Sequence, residues 1–274
     1  MAQDTAVSER PKETTTEHTR EPTSDVAAKF LLRGKTWRYL RYLHFRESLA
    51  KVANQIETVC ICGAGHGLAE IMIAEEFPHL QITLTDIHNV EGGYPNYHRA
   101  MDLAWRRGIR NVEFGIWNVL QPTKRGFDMI ASTEMLEHIE DDETAAANMV
   151  HSCKRFLYCL VPFADKAANA DAELRKGVWD RHEHFVVGYE AERLTELFPN
   201  PVHIHGTYWR DAGVPWRARM EKMSGDEIEA QADALKKEAK TDLIPRTPKK
   251  FGECQGIKIL SDIRKHKRAL AQTS

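Results

Sequence analysis

The feature that most constrains this chain is an alternation running from residue 58 to residue 162. Five short apolar runs, TVCIC (58–62), QITLTD (81–86), NVEFGIW (111–117), FDMIAS (127–132) and FLYCLVP (156–162), are rich in β-branched and aromatic residues. Between them lie stretches of helical character at Leu68–Phe77, at Tyr97–Arg107, and through Val150 and Cys153. Strands this short and apolar, each followed by helix-forming sequence, predict an α/β fold with a parallel sheet covered by helices on both faces.

Outside that alternation the pattern is looser. Residues 1–25 are rich in Thr, Glu and Arg with almost no large apolar side chain, and are expected to form a disordered tail. Across 26–55, Phe30, Leu31, Leu40, Leu43, Leu49 and Val52 recur near helical spacing among aromatic and basic residues, which predicts a helical lid over the open end of the core. After the fifth strand, ADKAANADAELRKGVWD reads as a long link, followed by a helix at Glu190–Phe198 and a sixth strand, VHIHGTYW (202–209). Residues 211–250 hold a charged helix, GDEIEAQADALKKEAK, and a Pro-rich link; GIKIL (256–260) predicts a seventh strand and SDIRKHKRALAQTS a basic tail. The expected organisation is tail 1–25, lid 26–55, core 56–210, inserted helical cap 211–250, and last strand with basic tail 251–274.

With 274 residues, 42% of them apolar, the chain can bury a substantial core as one domain with additions. Its formal charge of −2 argues against a surface that attracts nucleic acid everywhere. No apolar run approaches the roughly 20 residues needed to span a bilayer, and the N-terminus lacks a signal-peptide core. Five cysteines, Cys60, Cys62, Cys153, Cys159 and Cys254, sit mostly in apolar runs, the pattern of reduced buried thiols in a cytoplasmic protein. Cys60-Ile61-Cys62 has no second cysteine pair nearby, so core packing is preferred over a structural zinc.

The first strand ends in CGAGHGL (62–68). Its glycines allow a sharp turn and let backbone N–H groups approach a ligand, with a helix N-terminus behind them. The spacing is G-x-G-x-G; a dinucleotide fingerprint would need glycine where Leu68 stands. Asp86, at the tip of the second strand, is placed to accept the hydroxyls of a ribose.

Together these residues resemble the class I S-adenosylmethionine (SAM)-dependent methyltransferases over roughly 57–200. CGAGHG is similar to their glycine motif, TDI (85–87) to their ribose-binding acid, WNV (117–119) to the loop that contacts adenine, and FDMIASTEMLEHIED to their strand-four motif. The resemblance implies a Rossmann-like methyltransferase sheet, mostly parallel with an antiparallel last strand. It implies SAM as cofactor, with Gly63, Gly65 and Gly67 along its amino-acid half, Asp86 and Ile87 at the ribose, and Asn118 and Val119 at the adenine. One position departs from the family. An acid commonly stands two residues before the first glycine, and here it is Ile61, so ordering the loop and the SAM amino group passes to Glu70 or to backbone carbonyls.

STEMLEHIEDDE (132–143) leads away from the carboxyl edge of the sheet, where α/β folds place ligands. On a helix, Glu134, Glu137 and His138 would share one face at i, i+3 and i+4. The segment is similar to EMLEH in ubiquinone-biosynthesis O-methyltransferases. It is also similar to Glu-x-x-Glu-His in methyltransferases of small-RNA 3′ ends, which carry a later segment similar to RHEHF (181–185). The latter resemblance implies a Mg²⁺, Mn²⁺ or Zn²⁺ site at Glu134, Glu137, His138 and one of His182 and His184. Many class I members share LEHI and a later H-x-F with no metal, so both readings stand. Without a metal, His138 is the candidate base, with His184 beside it. Glu140, Asp141, Asp142 and Glu143 read as helix-start and surface charge.

On the acceptor side, GTYWRDAGVPWRARMEKM brings Trp209 and Trp216 close to four arginines, either to clamp a ligand or to pack the cap. The basic run Arg264–Arg268 could meet RNA phosphates or simply face solvent. The expected function is a cytoplasmic SAM-dependent methyltransferase acting on a hydroxyl of a small molecule, with a sugar or glycan as a subclass. Its rivals are an RNA ribose O-methyltransferase with a Glu/His metal site and a catalytically silent SAM-fold partner subunit. The residues do not reveal an oligomeric state.

Overall fold

A computed structural model describes residues 36–87, 97–207 and 256–273, with isolated positions at 219, 222, 223 and 227. The expected tail (1–25), the first part of the lid, nearly all of the cap (211–250), Trp209, Trp216 and Cys254 lie outside the described residues.

All seven expected strands are present: β1 (Thr58–Cys62), β2 (Gln81–Asp86), β3 (Val112–Ile116), β4 (Phe127–Thr133), β5 (Cys153–Pro162), β6 (Pro201–Thr207) and β7 (Gly256–Asp262). They form one sheet in the order β3-β2-β1-β4-β5-β7-β6. Pairing is parallel from β3 through β5, and β7 lies antiparallel between β5 and β6. The order reverses between β1 and β4, so their carboxyl ends open a crevice of the kind in which α/β sheets bind ligands.

The two-residue period of each strand sends alternate side chains to opposite faces, and both faces are covered. On one face, Val59, Ile61, Ile82, Leu84, Met129, Ala131, Tyr158 and Leu160 meet α1 (Thr36–Ala50) and α2 (Leu68–Glu76) through Phe45, Leu49, Met72 and Ile73. On the other, Cys60, Cys62, Ile130, Leu157, Cys159 and Ile259 meet α4 (Asp142–Ser152) and α7 (Ala191–Leu197). The α3 helix (His98–Arg107) packs Ala100 and Ala104 against Ile71 of α2. Cys60 and Cys62 are buried free thiols, as core packing requires.

Three expectations are corrected. The segment read as a link after β5 contains α5 (Lys166–Ala170) and α6 (Ala172–His182), each begun by an aspartate, Asp165 and Asp171, that accepts a backbone N–H. The tail after β7 is α8 (Ile263–Thr273), anchored by buried Ile263. STEMLEHIEDDE is not one helix. Glu134 takes φ +52°, Leu136–His138 forms a single 3₁₀ turn, and α4 begins only at Asp142.

Candidate active site

The glycine loop closes β1 and opens α2. Gly63, Gly65 and Gly67 all adopt left-handed φ, at +68°, +58° and +70°, where a side chain is strained. A Cβ on Gly63 would stand 2.7 Å from the Met135 side chain, and one on Gly67 would press on Leu84 and Ala100 at 3.1 Å. Among the described residues, only the Arg38 guanidinium comes within 4.0 Å of where a Cβ on Gly65 would stand. Asp86 ties this loop to β2. Its carboxylate accepts from Gly65 N–H at 2.7 Å and from Ile87 N–H at 2.8 Å. Each oxygen keeps a lone pair for a ligand hydroxyl.

Beyond Asp86 opens a cavity of about 720 Å³, within the range of small-molecule sites. Gly63, Asp86, Asn118, Val119, Met135 and His138 line it, with Phe185 at its edge. Its rim carries apolar side chains left exposed, Ile87, Ile116 and Leu120. Asn118 Oδ1 accepts from Leu120 N–H at 3.0 Å and shapes the turn. A left-handed glycine cradle, an acid at the tip of β2 and a ring of uncovered apolar groups suit a ribose joined to a flat base.

At the far end of the cavity the strand-four segment meets the loop after α6. Phe185 N–H donates to the Glu137 carbonyl at 2.8 Å, tethering the two. The His138 and His184 rings stand perpendicular with centroids 4.5 Å apart. One donor atom each from Glu137, His138 and His184 lies within 4.8 Å of the others. Glu137 is fully buried, and neither carboxylate oxygen has a hydrogen-bond partner among the described residues. Burial, and then the nearby charge of Glu134, push its carboxyl well above the usual range. Burial also pushes His184 down to about 4 and lowers His138.

The other two candidates are placed differently. Glu134 turns to α1, where its Oε2 accepts from Arg41 Nη2 at 2.8 Å, while its Oε1 is buried without a partner. His182 ends α6, is exposed, and is not a member of the three-residue cluster.

No family model matches the chain. A curated relative, ribosomal RNA small subunit methyltransferase G of Exiguobacterium sibiricum, is 28% identical over 194 residues, 63% of this chain and 75% of that one. Among solved structures, a Galdieria sulphuraria protein assigned as a sarcosine dimethylglycine methyltransferase aligns with TM-score 0.56 at 14% identity, covering 84% of this chain and 87% of its own. Coclaurine N-methyltransferase bound to N-methylheliamine and SAH aligns with TM-score 0.53 at 13% identity, covering 80% and 70%. The fold is that of a class I SAM-dependent methyltransferase.

In this methyltransferase fold the glycine loop, Asp86, Ile87, Asn118 and Val119 all border one crevice. Three contributions were not named from sequence: Met135 against the glycine loop, Phe185 at the rim, and Arg41 against Glu134. Arg41 and Glu134 are 93 residues apart, so no local periodicity links them. Of the basic run in α8, Arg264 and Lys267 bond within the protein, whereas Lys265 and Arg268 are exposed. Arg264 pairs with Asp262 at 2.6 Å and lies over Phe156, and Lys267 donates to the His151 carbonyl at 2.8 Å.

Proposed function

We propose that this protein transfers a methyl group from SAM to a hydroxyl of a small-molecule acceptor, with sugars and other polyols first among candidates, and that a divalent metal assists. The observation that carries the metal is Glu137, a buried carboxylate with two bare oxygens beside two imidazoles. An isolated buried charge is costly, so such a group is either protonated or paired with a cation. Imidazoles with lowered pKa are neutral near pH 7, the form that ligates metal. Carboxylate with two imidazoles suits Zn²⁺ or Mn²⁺ better than Mg²⁺. The present span is slightly wider than the roughly 3–4 Å between neighbouring ligands of a bound ion, so a small contraction would suffice.

SAM supplies an electrophilic methyl group on a sulfonium, and the displacement mainly requires positioning. A metal at this cluster would lower the pKa of a coordinated hydroxyl. The chain's own residues do the rest. The glycine loop and Asp86 hold the cofactor end, Met135 and Phe185 narrow the acceptor end, and, with the His138 lone pair given to the metal, the acceptor proton leaves to solvent at the open rim. The acceptor is read as a small molecule because the crevice is a bounded cavity rimmed by Ile87, Ile116 and Leu120, and because the chain carries a formal charge of −2.

The test is calorimetric titration of metal-stripped protein with S-adenosylhomocysteine (SAH), and separately with Zn²⁺, Mn²⁺ and Mg²⁺, repeated on Glu137→Gln and His138→Ala. SAH is expected to bind all three proteins. Metal affinity is expected to fall at least about 10-fold in either variant. Failure of SAH to bind the unmutated protein would sink the methyltransferase reading. Metal binding indifferent to both substitutions would leave His138 as a base acting alone.

A further inference from the structure

The α1 helix crosses the open side of the glycine loop and presents Arg38 and Arg41, one turn apart, toward it. Between helix and loop lies a smaller cavity of about 110 Å³, bordered by both arginines, Gly65, Glu70, Thr133 and Glu134. Space of that size holds several waters, or the charged end of an amino acid. Arg41 uses one nitrogen on Glu134, and its Nε is buried without a hydrogen-bond partner. Among the described residues the Arg38 guanidinium has neither a hydrogen bond nor an ion pair, and its Nη1 stands 4.0 Å from where a Cβ on Gly65 would lie. Two neighbouring guanidiniums with donors to spare disfavour one another and favour an anion, which a planar fork can grip bidentately. Burial and the Arg41 charge already weaken the hold of Arg38 on its proton.

The same cavity also offers acceptors for a cation. Glu134 Oε1 is buried without a partner, and Glu70 in the first turn of α2 is a carboxyl that burial pushes up to about 7. Spare donors and spare acceptors bordering one cavity fit a zwitterion. They also address the departure at Ile61, where no side-chain acceptor is available to the loop.

We infer that the amino-acid half of SAM is clamped between α1 and the glycine loop, its carboxylate by Arg38 and Arg41 and its ammonium by Glu70 and Glu134. This rests on the SAM reading above and assigns α1 a positioning role in cofactor binding. The same arginines could instead serve an anionic acceptor, and the experiment separates the two.

The experiment titrates unmutated protein, Arg38→Ala and Arg38→Lys with two ligands: SAH, and 5′-methylthioadenosine, which keeps the nucleoside and thioether but lacks the amino-acid half. The unmutated protein should prefer SAH. Arg38→Ala should weaken SAH about 10-fold or more, as for a lost charge-assisted contact, and leave methylthioadenosine within about twofold; Arg38→Lys should fall between. If the unmutated protein binds neither ligand, the SAM reading fails and takes this inference with it. If it binds SAH and Arg38→Ala binds SAH equally well, or weakens both ligands alike, the clamp is wrong and Arg38 serves an acceptor or the fold.

Discussion

Glu134 and Glu137 are three residues apart and face different partners, because the backbone between them is not helical. A non-glycine residue at φ +52° turns Glu134 toward Arg41, while the 3₁₀ turn buries Glu137 beside His138. The positive φ at Glu134 is an uncommon conformation that the neighbouring Glu134 N–H to Leu160 carbonyl bond, at 2.7 Å, holds in place. The same precision applies to Gly63. Gly63→Ala would put a side chain both into a left-handed conformation and into Met135, and is expected to cost about 1–3 kcal/mol in urea denaturation and to weaken SAH binding. At this scale Asp86 and the glycines were legible because strand ends and left-handed turns leave local signatures. The grouping of Glu134 with Glu137 and His138 was not, since it assumed a helical period that one strained residue breaks.

Helices show where periodicity stops carrying information. Neither α5 nor α6 has a fully buried residue, so they leave no apolar stripe to detect; their signal is the pair of capping aspartates, Asp165 and Asp171, at the head of each. The central strands were readable because burial on both faces keeps VCIC of β1, MIA of β4 and FLYCLV of β5 free of charged residues. In α4 the same capping logic gives a test. Asp141 accepts from Thr144 N–H at 3.0 Å, so Asp141→Ala is expected to lower the urea midpoint while leaving SAH affinity unchanged. Next to it Asp142, expected to be surface charge, is mostly buried in a 2.6 Å pair with Arg193 that fastens α4 to α7.

Across the molecule, the sheet edge remote from the crevice contributes to the acid response, alongside His184 and buried His44. His203 on β6 has a buried Nε2 without a partner, and burial, with Lys51, His205 and Lys258 acting in the same direction and Glu47 opposing, lowers its pKa to about 4. The unfolded chain takes up a proton near pH 6.5, whereas folded His203 resists until about 4. Stability from this group is therefore complete above pH 6.5 and is lost as pH falls through that window. Urea midpoints at pH 7.5 and pH 5 should differ, and His203→Gln should narrow the difference.

The position of β7 has a consequence for how the protein is made. It lies between β5 and β6 yet follows both in sequence, separated from Pro162 of β5 by all of α5, α6, α7 and β6. A nascent chain leaving the ribosome therefore carries β5 with a bare hydrogen-bonding edge and β6 with no neighbour until Gly256–Asp262 has been translated. Strand edges in that state invite pairing with other chains. Ribosome-stalled chains ending before Gly256 should recruit holdase chaperones and resist release in soluble form, and chains extended past Asp262 should let go of them.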